Sequence, residues 1–484
     1  MKKLVSLLLA VMMVLAMGSA MTATAEEPVN LVWWLFATAE APEDQAEVEA
    51  AMNELSLAEL GITCTYVYMT DDQISRAIST GEYFDICFTC DWYNDFQTNV
   101  SNGMFLDITD LVDEYCAEMK ATMLDNIWSG AYINDRLYAI PHMKDYGIEV
   151  FWILDSNYFL EEKGLEVDQY ISFEEIDEYA AMYKEDYPDR YPMYTDRGGL
   201  TSWTNFMDWI YEDALIALSY DAQGTEDETK VQFALEMPEF VERMYTIRSF
   251  YEKGYINPDA AVTETLGRPQ KGVIQSGQGW FGAETVWANA RQAPVYISRF
   301  DGPYLSTYSL RGAMTAVSAT TPYAAEALQL INFMNTNEEY RTLARYGIEG
   351  KHYTRNEDGT VTRTEEGMQK YNPNTYTHGS YVVGPLEASP FPEVPTDTEQ
   401  WRKTWAGYED AITSAAIGFG FDYMPVEAQC MAISDIWQSY LYEIQTGTAD
   451  LDVVLPEIIA QMEEAGIRDV VAEAQRQLDE FLGK

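Results

Sequence analysis

The sequence predicts an α/β protein folded as two lobes, and three stretches carry that prediction. Residues 29–89 alternate strand and helix patterns, a second α/β unit opens at Gly147, and Asn134 to Tyr146 reads as a strand passing from one lobe to the other. Alternation of this kind implies mostly parallel sheets with helices on both faces.

In the first unit, Asn30 to Phe36 is apolar and extended, and Glu43 to Leu60 places Val48, Met52 and Leu55 on one helical face. Ile62 to Met69 is extended again. Thr70 and Gln73 form a capping box that opens a helix through Ser79, followed by a strand from Tyr83 to Thr89. The connecting stretch holds a turn signal and Pro141, as a crossing strand would.

The second unit runs Gly147 to Leu154 as a strand. A capping box at Ser172 and Glu175 then opens a helix carrying Ile176, Tyr179 and Tyr183 on one face. Gly279 to Trp287 and the small, polar Gly312 to Thr320 read as lying near return crossings, so both lobes are discontinuous. After Pro322, residues Ala324, Ala327, Leu328, Ile331 and Met334 share a helical face. From Tyr346 the pattern changes: Asp358-Gly359 reads as a hairpin turn, 372–397 as proline-rich loop, and helices follow near 401–416 and 425–446. The last helices carry Ile458 and Met462, then Val471, Ala474 and Leu478, at amphipathic spacing. The expected organisation is a leader over 1–25, a first lobe of 26–143 and 283–322, a second lobe of 144–282 and 323–345, and a C-terminal helical extension, 346–484, packed on the lobes.

Lys2 and Lys3, the apolar run Leu4 to Met17 and the small residues ending at Ala25 have the layout of a secretory signal, which starts the mature chain near Glu26. The run is shorter than the roughly 20 residues that span a bilayer. No cysteine precedes Cys64 to accept a lipid, so the expected product is exported to the periplasm or cell exterior, associated with the cell surface, without a lipid-anchoring cysteine. The formal net charge of −49 repels nucleic acid and anionic lipid, and the expected state is a monomer. Cys64, Cys87, Cys90, Cys116 and Cys430 are too sparse for a disulfide framework. Cys87 and Cys90 have CxxC spacing but fall on a predicted buried strand with no second pair, which favours packing over redox or metal chemistry.

Twelve Trp and 34 Tyr are the most informative residues for function, because sugar rings present apolar C–H faces to aromatic planes while their hydroxyls need paired donors and acceptors. In α/β sheets ligands bind beyond the carboxyl ends of strands, which singles out Trp34 and Phe36 after the first strand and Asp91, Trp92, Tyr93 and Asn94 after the third. Asp91-Trp92 is the leading pair, a hydroxyl acceptor beside a stacking face. Trp203, Trp280, Glu284 and Trp287 are further candidates at strand ends or in loops. Lys144 and Asp145 follow the crossing proline, and Arg311 precedes the small-residue stretch. Ordinary core packing is the competing explanation for each aromatic residue, and a salt-bridged surface for each charged one.

His142, His352 and His378 are scattered, with no GxSxG elbow, HExxH pair or glycine-rich phosphate loop, so no catalytic residue and no cofactor are expected. Among 79 acidic residues a glycosidase pair cannot be told from chance, which leaves a secreted glycan hydrolase as the alternative; a surface adhesion or scaffold protein is a third reading. Asn356, Glu357 and Asp358 suggest calcium, but Gly359 comes too early for an EF-hand loop, so no metal is expected.

Tyr132-Ile133-Asn134-Asp135-Arg136-Leu137-Tyr138-Ala139-Ile140-Pro141 resembles the ING-x-x-YAIP segment of family-one extracellular solute-binding proteins, the group of maltose-binding protein. Tyr346 to Tyr353, and Gly418-Phe419-Gly420-Phe421-Asp422 with Pro425-Val426, are similar to a lipoprotein subgroup with an extra C-terminal domain of undefined role. The resemblance implies a type II periplasmic-binding-protein-like fold whose lobes are joined by hinge strands and close on ligand. It also implies delivery to ABC permease subunits in the membrane, and a carbohydrate ligand, usually an oligosaccharide, with peptides or other solutes as alternatives. Asp91-Trp92, Asn94, Lys144-Asp145 and Phe421-Asp422 match segments of that pattern. The chain departs from the subgroup in lacking the lipid-anchor cysteine.

Overall fold

The computed structural model describes residues 28–37, 40–357, 360–373 and 397–484. The leader, the turn at Asp358-Gly359, the calcium candidate that includes it, and all but the margins of the 372–397 loop lie outside the described residues.

Two separate sheets form the cores of two lobes. The first has strand order β2-β1-β3-β8-β4, from β1 (Val29–Phe36), β2 (Ile62–Met69), β3 (Ile86–Thr89), β4 (Ala139–Pro141) and β8 (Met314–Val317). β1 runs parallel to β2 and β3, while β8 runs antiparallel to β3 and β4. The second has order β6-β5-β7-β9, from β5 (Ile148–Asp155), β6 (Ile274–Gln278), β7 (Val295–Leu305) and β9 (Ile412–Thr413). β5 is antiparallel to both neighbours, so this sheet departs from the mostly parallel expectation.

Local chemistry sets the element ends as the sequence suggests. α1 (Gln45–Leu60) buries Val48 and Met52 and stops at Gly61, whose φ of 73° is the left-handed cap that glycine adopts without strain. α2 (Asp71–Thr80) starts at the Thr70/Gln73 capping box. The Ser172/Glu175 box is also made, at 2.8 and 3.1 Å, ahead of α4 (Ile176–Asp186). Between them, α3 (Phe96–Ser101) follows the loop after β3, with Asp95 accepting from the Thr98 amide at 2.6 Å.

Among the described residues the chain crosses between lobes three times. Residues 142–147 join β4 to β5, residues 306–313 join β7 to β8, and a third passage leads from Tyr408, in the first core, to β9 in the second sheet. Tyr408 packs edge-on against Tyr146 at 4.7 Å, and a methyl group at Gly147 would lie 2.5 Å from the Tyr408 ring, so only glycine permits that approach. Trp405 Nε1 donates to the Lys144 carbonyl at 3.0 Å. The third passage therefore braces the first.

These crossings correct the expected lobe boundaries. The stretch 283–322 does not belong wholly to the first lobe, because β7 pairs with β5 over most of its length and the return crossing comes only after Leu305. Residues 323–345 belong to the first lobe, not the second: α7 (Ala324–Thr336) and α8 (Glu338–Tyr346) put Leu328, Ile331, Met334 and Tyr340 into the first core, and the Tyr340 hydroxyl meets that of Tyr66 at 2.7 Å. The C-terminal extension is divided. Tyr371 and Trp405 pack with the first lobe, while α9 (Glu427–Gln445), α10 (Leu451–Ala465) and α11 (Ile467–Phe481) pack with the second, through Trp437, Ile458, Met462, Ala474 and Leu478.

All five cysteines are free, buried thiols. Burial pushes the Cys87 and Cys90 thiols up, away from the reactive thiolate, in keeping with packing residues.

Candidate functional site

The loop after β3 leaves the sheet at its carboxyl end with Asp91 and Trp92. Trp92 is 38% exposed, and its Nε1–H donates to the carbonyl of Gly312, in the second crossing, at 2.8 Å. The Phe36 ring, at the end of β1, meets Trp92 edge-on at 5.3 Å and Tyr93 at 4.9 Å. The indole thus has one edge fixed by backbone and another by an aromatic neighbour, and keeps surface open to solvent.

Asp91 is half-buried beside it. Burial pushes its carboxyl up to about 7, against the pull of the Arg311 guanidinium. Lys144 is buried at the first crossing, with Nζ bonded to the Asp145 carbonyl at 3.0 Å and to the Asp145 carboxylate at 3.3 Å. A methyl group at Gly312 would lie 3.4 Å from Lys144 Cε, which places the Lys144-Asp145 pair against the same crossing that Trp92 touches. From the second lobe, Trp280 is half-buried between the first core and a small cluster of Phe151, Ile153, Ala283, Trp287 and Ile297. Phe36, Asp91, Trp92, Lys144 and Asp145 therefore gather around the crossings, and Trp280 reaches the first core from the second lobe.

The other candidates divide between packing and sites elsewhere. Trp34 is buried and stacked on Phe84 at 4.5 Å, and Trp203 is buried and stacked on Phe240 at 5.4 Å. Tyr93 is buried and donates to the Met69 carbonyl at 2.8 Å; Asn94, at a left-handed φ of 50°, donates to the Phe88 carbonyl at 2.9 Å. Both side chains are engaged by backbone carbonyls and shape the loop. Trp287 is a core residue under the Arg268 guanidinium, and Glu284 opens α6 (Glu284–Arg291) at the edge of its cluster. Phe421 packs with the second core and Tyr211.

Arg311 is only 2% exposed and is saturated by backbone and amide groups. Nε donates to Gly130 O at 2.7 Å, Nη1 to Gln97 Oε1 at 3.1 Å and Nη2 to Gly418 O at 3.4 Å. It lines a groove of about 1060 Å³ between the first lobe and the C-terminal segment; other walls include Gln97, Trp128, Tyr132, Phe419 and Phe481, and Trp92 is not among them. The sequence groups Arg311 with the Trp92 site, but its side chain serves this other groove.

Sequence reasoning also misses a second-lobe cluster. Tyr170 is 57% exposed and lies over the Arg299 guanidinium at 4.7 Å, with Phe281 edge-on at 6.1 Å. Arg299 is ion-paired with buried Glu149, whose carboxyl is raised by burial and also feels Asp145. A single Tyr in a polar loop carries no signal of its own; its value comes from Phe281 and Arg299, which are more than 100 positions away in sequence. Among the described residues no group of His, Cys, Asp and Glu could hold a metal ion.

Comparison with known proteins agrees with this architecture. Residues 50–349 match the description "bacterial extracellular solute-binding protein", and residues 415–483 match a domain of unknown function (DUF3502). A carbohydrate ABC transporter substrate-binding protein of Streptococcus pneumoniae serotype 4 is 25% identical over 456 residues, covering 91% of this chain and 89% of its own. The polygalacturonan/rhamnogalacturonan-binding protein YtcQ of Bacillus subtilis is 24% identical over 350 residues, covering 68% of each chain. Among solved structures, the N-glycan transport solute binding protein of Streptococcus pneumoniae superposes with a TM-score of 0.82 at 21% identity, over 94% of this chain and 99% of that one. The TM-score is 0.72 for the same protein in complex with Man1GlcNAc.

Proposed function

Because the chain belongs to the bacterial extracellular solute-binding proteins, we propose that it is the exported, ligand-capturing subunit of an ABC importer for carbohydrates. In this reading it holds an oligosaccharide between its lobes, without chemical turnover, and delivers it to permease subunits in the membrane. The observation that carries the proposal is the placement of Trp92 and the Lys144-Asp145 pair against the second crossing, with Trp280 of the second lobe packed on the first core. A sugar ring laid on the indole buries its C–H face, and the carboxylates accept from its hydroxyls. Contacts to both lobes at once give the ligand a higher affinity for the closed arrangement, which is the condition for it to drive closure. The relatives named as carbohydrate-binding and as polygalacturonan/rhamnogalacturonan-binding support the ligand class.

Calorimetry against a panel of plant-polysaccharide fragments and N-glycan oligosaccharides, with chromatography of the sugar recovered afterwards, tests the proposal. Binding of at least one member with the sugar intact is expected. Release of shorter products would replace the proposal with a glycan hydrolase, and silence across the panel with binding of a peptide would replace the ligand class.

A further inference from the structure

The groove that Arg311 lines is built differently from the Trp92 face. Its first-lobe wall includes Gln97 of α3, and the opposite wall is the Gly418–Gly420 turn at the start of the C-terminal domain. Arg311 ties the two. Its buried guanidinium is held by Gly130 and Gln97 on one side and reaches Gly418 on the other, and it lies over the Phe96 ring at 5.3 Å.

The two glycines are required for separate reasons. Gly418 has a φ of 86°, in the left-handed region that a side chain would strain. Gly420 has no such backbone demand, but a methyl group there would fall 1.7 Å from Gln97 Oε1, the same oxygen that accepts from Arg311. Turning Gln97 aside would break that hydrogen bond to a buried cation. Bulk at Gly420 therefore has room only if the Gln97 amide gives up Arg311.

Successive crossing residues separate this contact from the Trp92 face. Arg311 is directed into the groove, whereas Gly312 gives its carbonyl to Trp92 and its open side to Lys144. Bodies pivoting about such crossings widen on one side as they narrow on the other.

We propose that the Gly418–Gly420 turn of the C-terminal domain is a hinge stop, bearing on Gln97 and Arg311 to limit how far the Trp92 face can open. This gives the domain of unknown function a mechanical role, and it rests on the reading of the chain as a lobe-closing binding protein. Adding bulk at Gly420 wedges the rear apart and shifts the ligand-free protein towards the closed arrangement. Removing Gln97 frees the stop.

Small-angle scattering of the full mature protein without any solute tests this independently of the ligand's identity. Gly420→Ala is expected to lower the radius of gyration, Gly420→Leu to lower it further, and Gln97→Ala alone to raise it. The decisive variant is Gly420→Ala combined with Gln97→Ala, which is expected to match Gln97→Ala alone because the added methyl no longer meets a side chain. Circular dichroism confirms that each variant is folded. An unchanged or larger radius in the Gly420 variants overturns the proposal, and so does a fall that persists when Gln97 is removed. Failure here leaves the Trp92 site standing, since that site is tested by sugar binding alone.

Discussion

The Trp92 indole and the Gly312 carbonyl, 220 positions apart in sequence, share a hydrogen bond of 2.8 Å that pins the loop after β3 to the second crossing. The plane offered to a ligand is thereby fixed by backbone before any ligand arrives, which reduces the ordering cost of binding. Trp92→Ala is expected to weaken oligosaccharide binding by about 1–2 kcal/mol, about five- to thirtyfold in Kd, with little change in thermal stability. Trp92→Phe keeps a stacking face without the N–H and is expected to fall between. Calorimetry on both variants separates the stacking contribution from the pinning.

Asp91 and Asp208 give the stability a distinctive pH dependence. Burial pushes both carboxyls up to about 7, from the ordinary aspartate value of 3.8. Between those values the folded protein retains protons that the unfolded chain has lost, so stability falls as pH rises through that window. Asp91→Asn and Asp208→Asn should each flatten the decline in Tm between pH 4 and pH 8, measured by differential scanning calorimetry. Only Asp91→Asn should also reduce sugar affinity, because Asp208 lies in the second-lobe strand Asp208–Tyr211, away from Trp92.

Trp203 should behave as a core residue. It is 4% exposed and stacked 5.4 Å from Phe240 at an interplanar angle of 18°. Trp203→Ala is expected to cost about 3–5 kcal/mol of stability by leaving a cavity. Urea unfolding measures that loss, and sugar affinity at a temperature where the variant is folded should stay near wild type.

A buried ion pair holds the second lobe together. Arg243 binds Asp301 with both terminal nitrogens, at 2.9 and 3.1 Å, and its guanidinium lies 4.1 Å from the Phe173 ring and 4.2 Å from that of Phe206. Removing one partner leaves the other charged and buried, so Asp301→Ala is expected to destabilise by about 3–5 kcal/mol in urea unfolding. Replacing both with apolar residues should cost much less than the single change.

The first lobe was legible in the sequence because its information is local. Strand periods, the Thr70/Gln73 box and the turn before Pro141 each lie within a few residues of the feature they set. The lobe boundaries were less legible because they depend on pairing at long range. The mix of glycine and aromatics from Gly279 to Trp287 looks like a crossing, yet Val295–Leu305 pairs with Ile148–Asp155 first, and nothing local in either strand names its partner. The same limit applies to the site. Trp92 and Trp203 carry identical chemistry in similar loops, and only the fold puts one beside Gly312 at the surface and the other under Phe240. Arg311 was conspicuous as a lone cation, but the carbonyls that claim it come from residues 130 and 418, on separate elements.

The most direct test of the account is a crystal structure of the protein soaked with an oligosaccharide that it binds in solution. The account predicts an unbroken sugar between the lobes, with one ring on the Trp92 face, a hydroxyl on Asp91 or Asp145, and Trp280 against its far side. A sugar bound outside the lobe interface, or seated in the groove lined by Trp128 and Phe481 with Trp92 untouched, would contradict it.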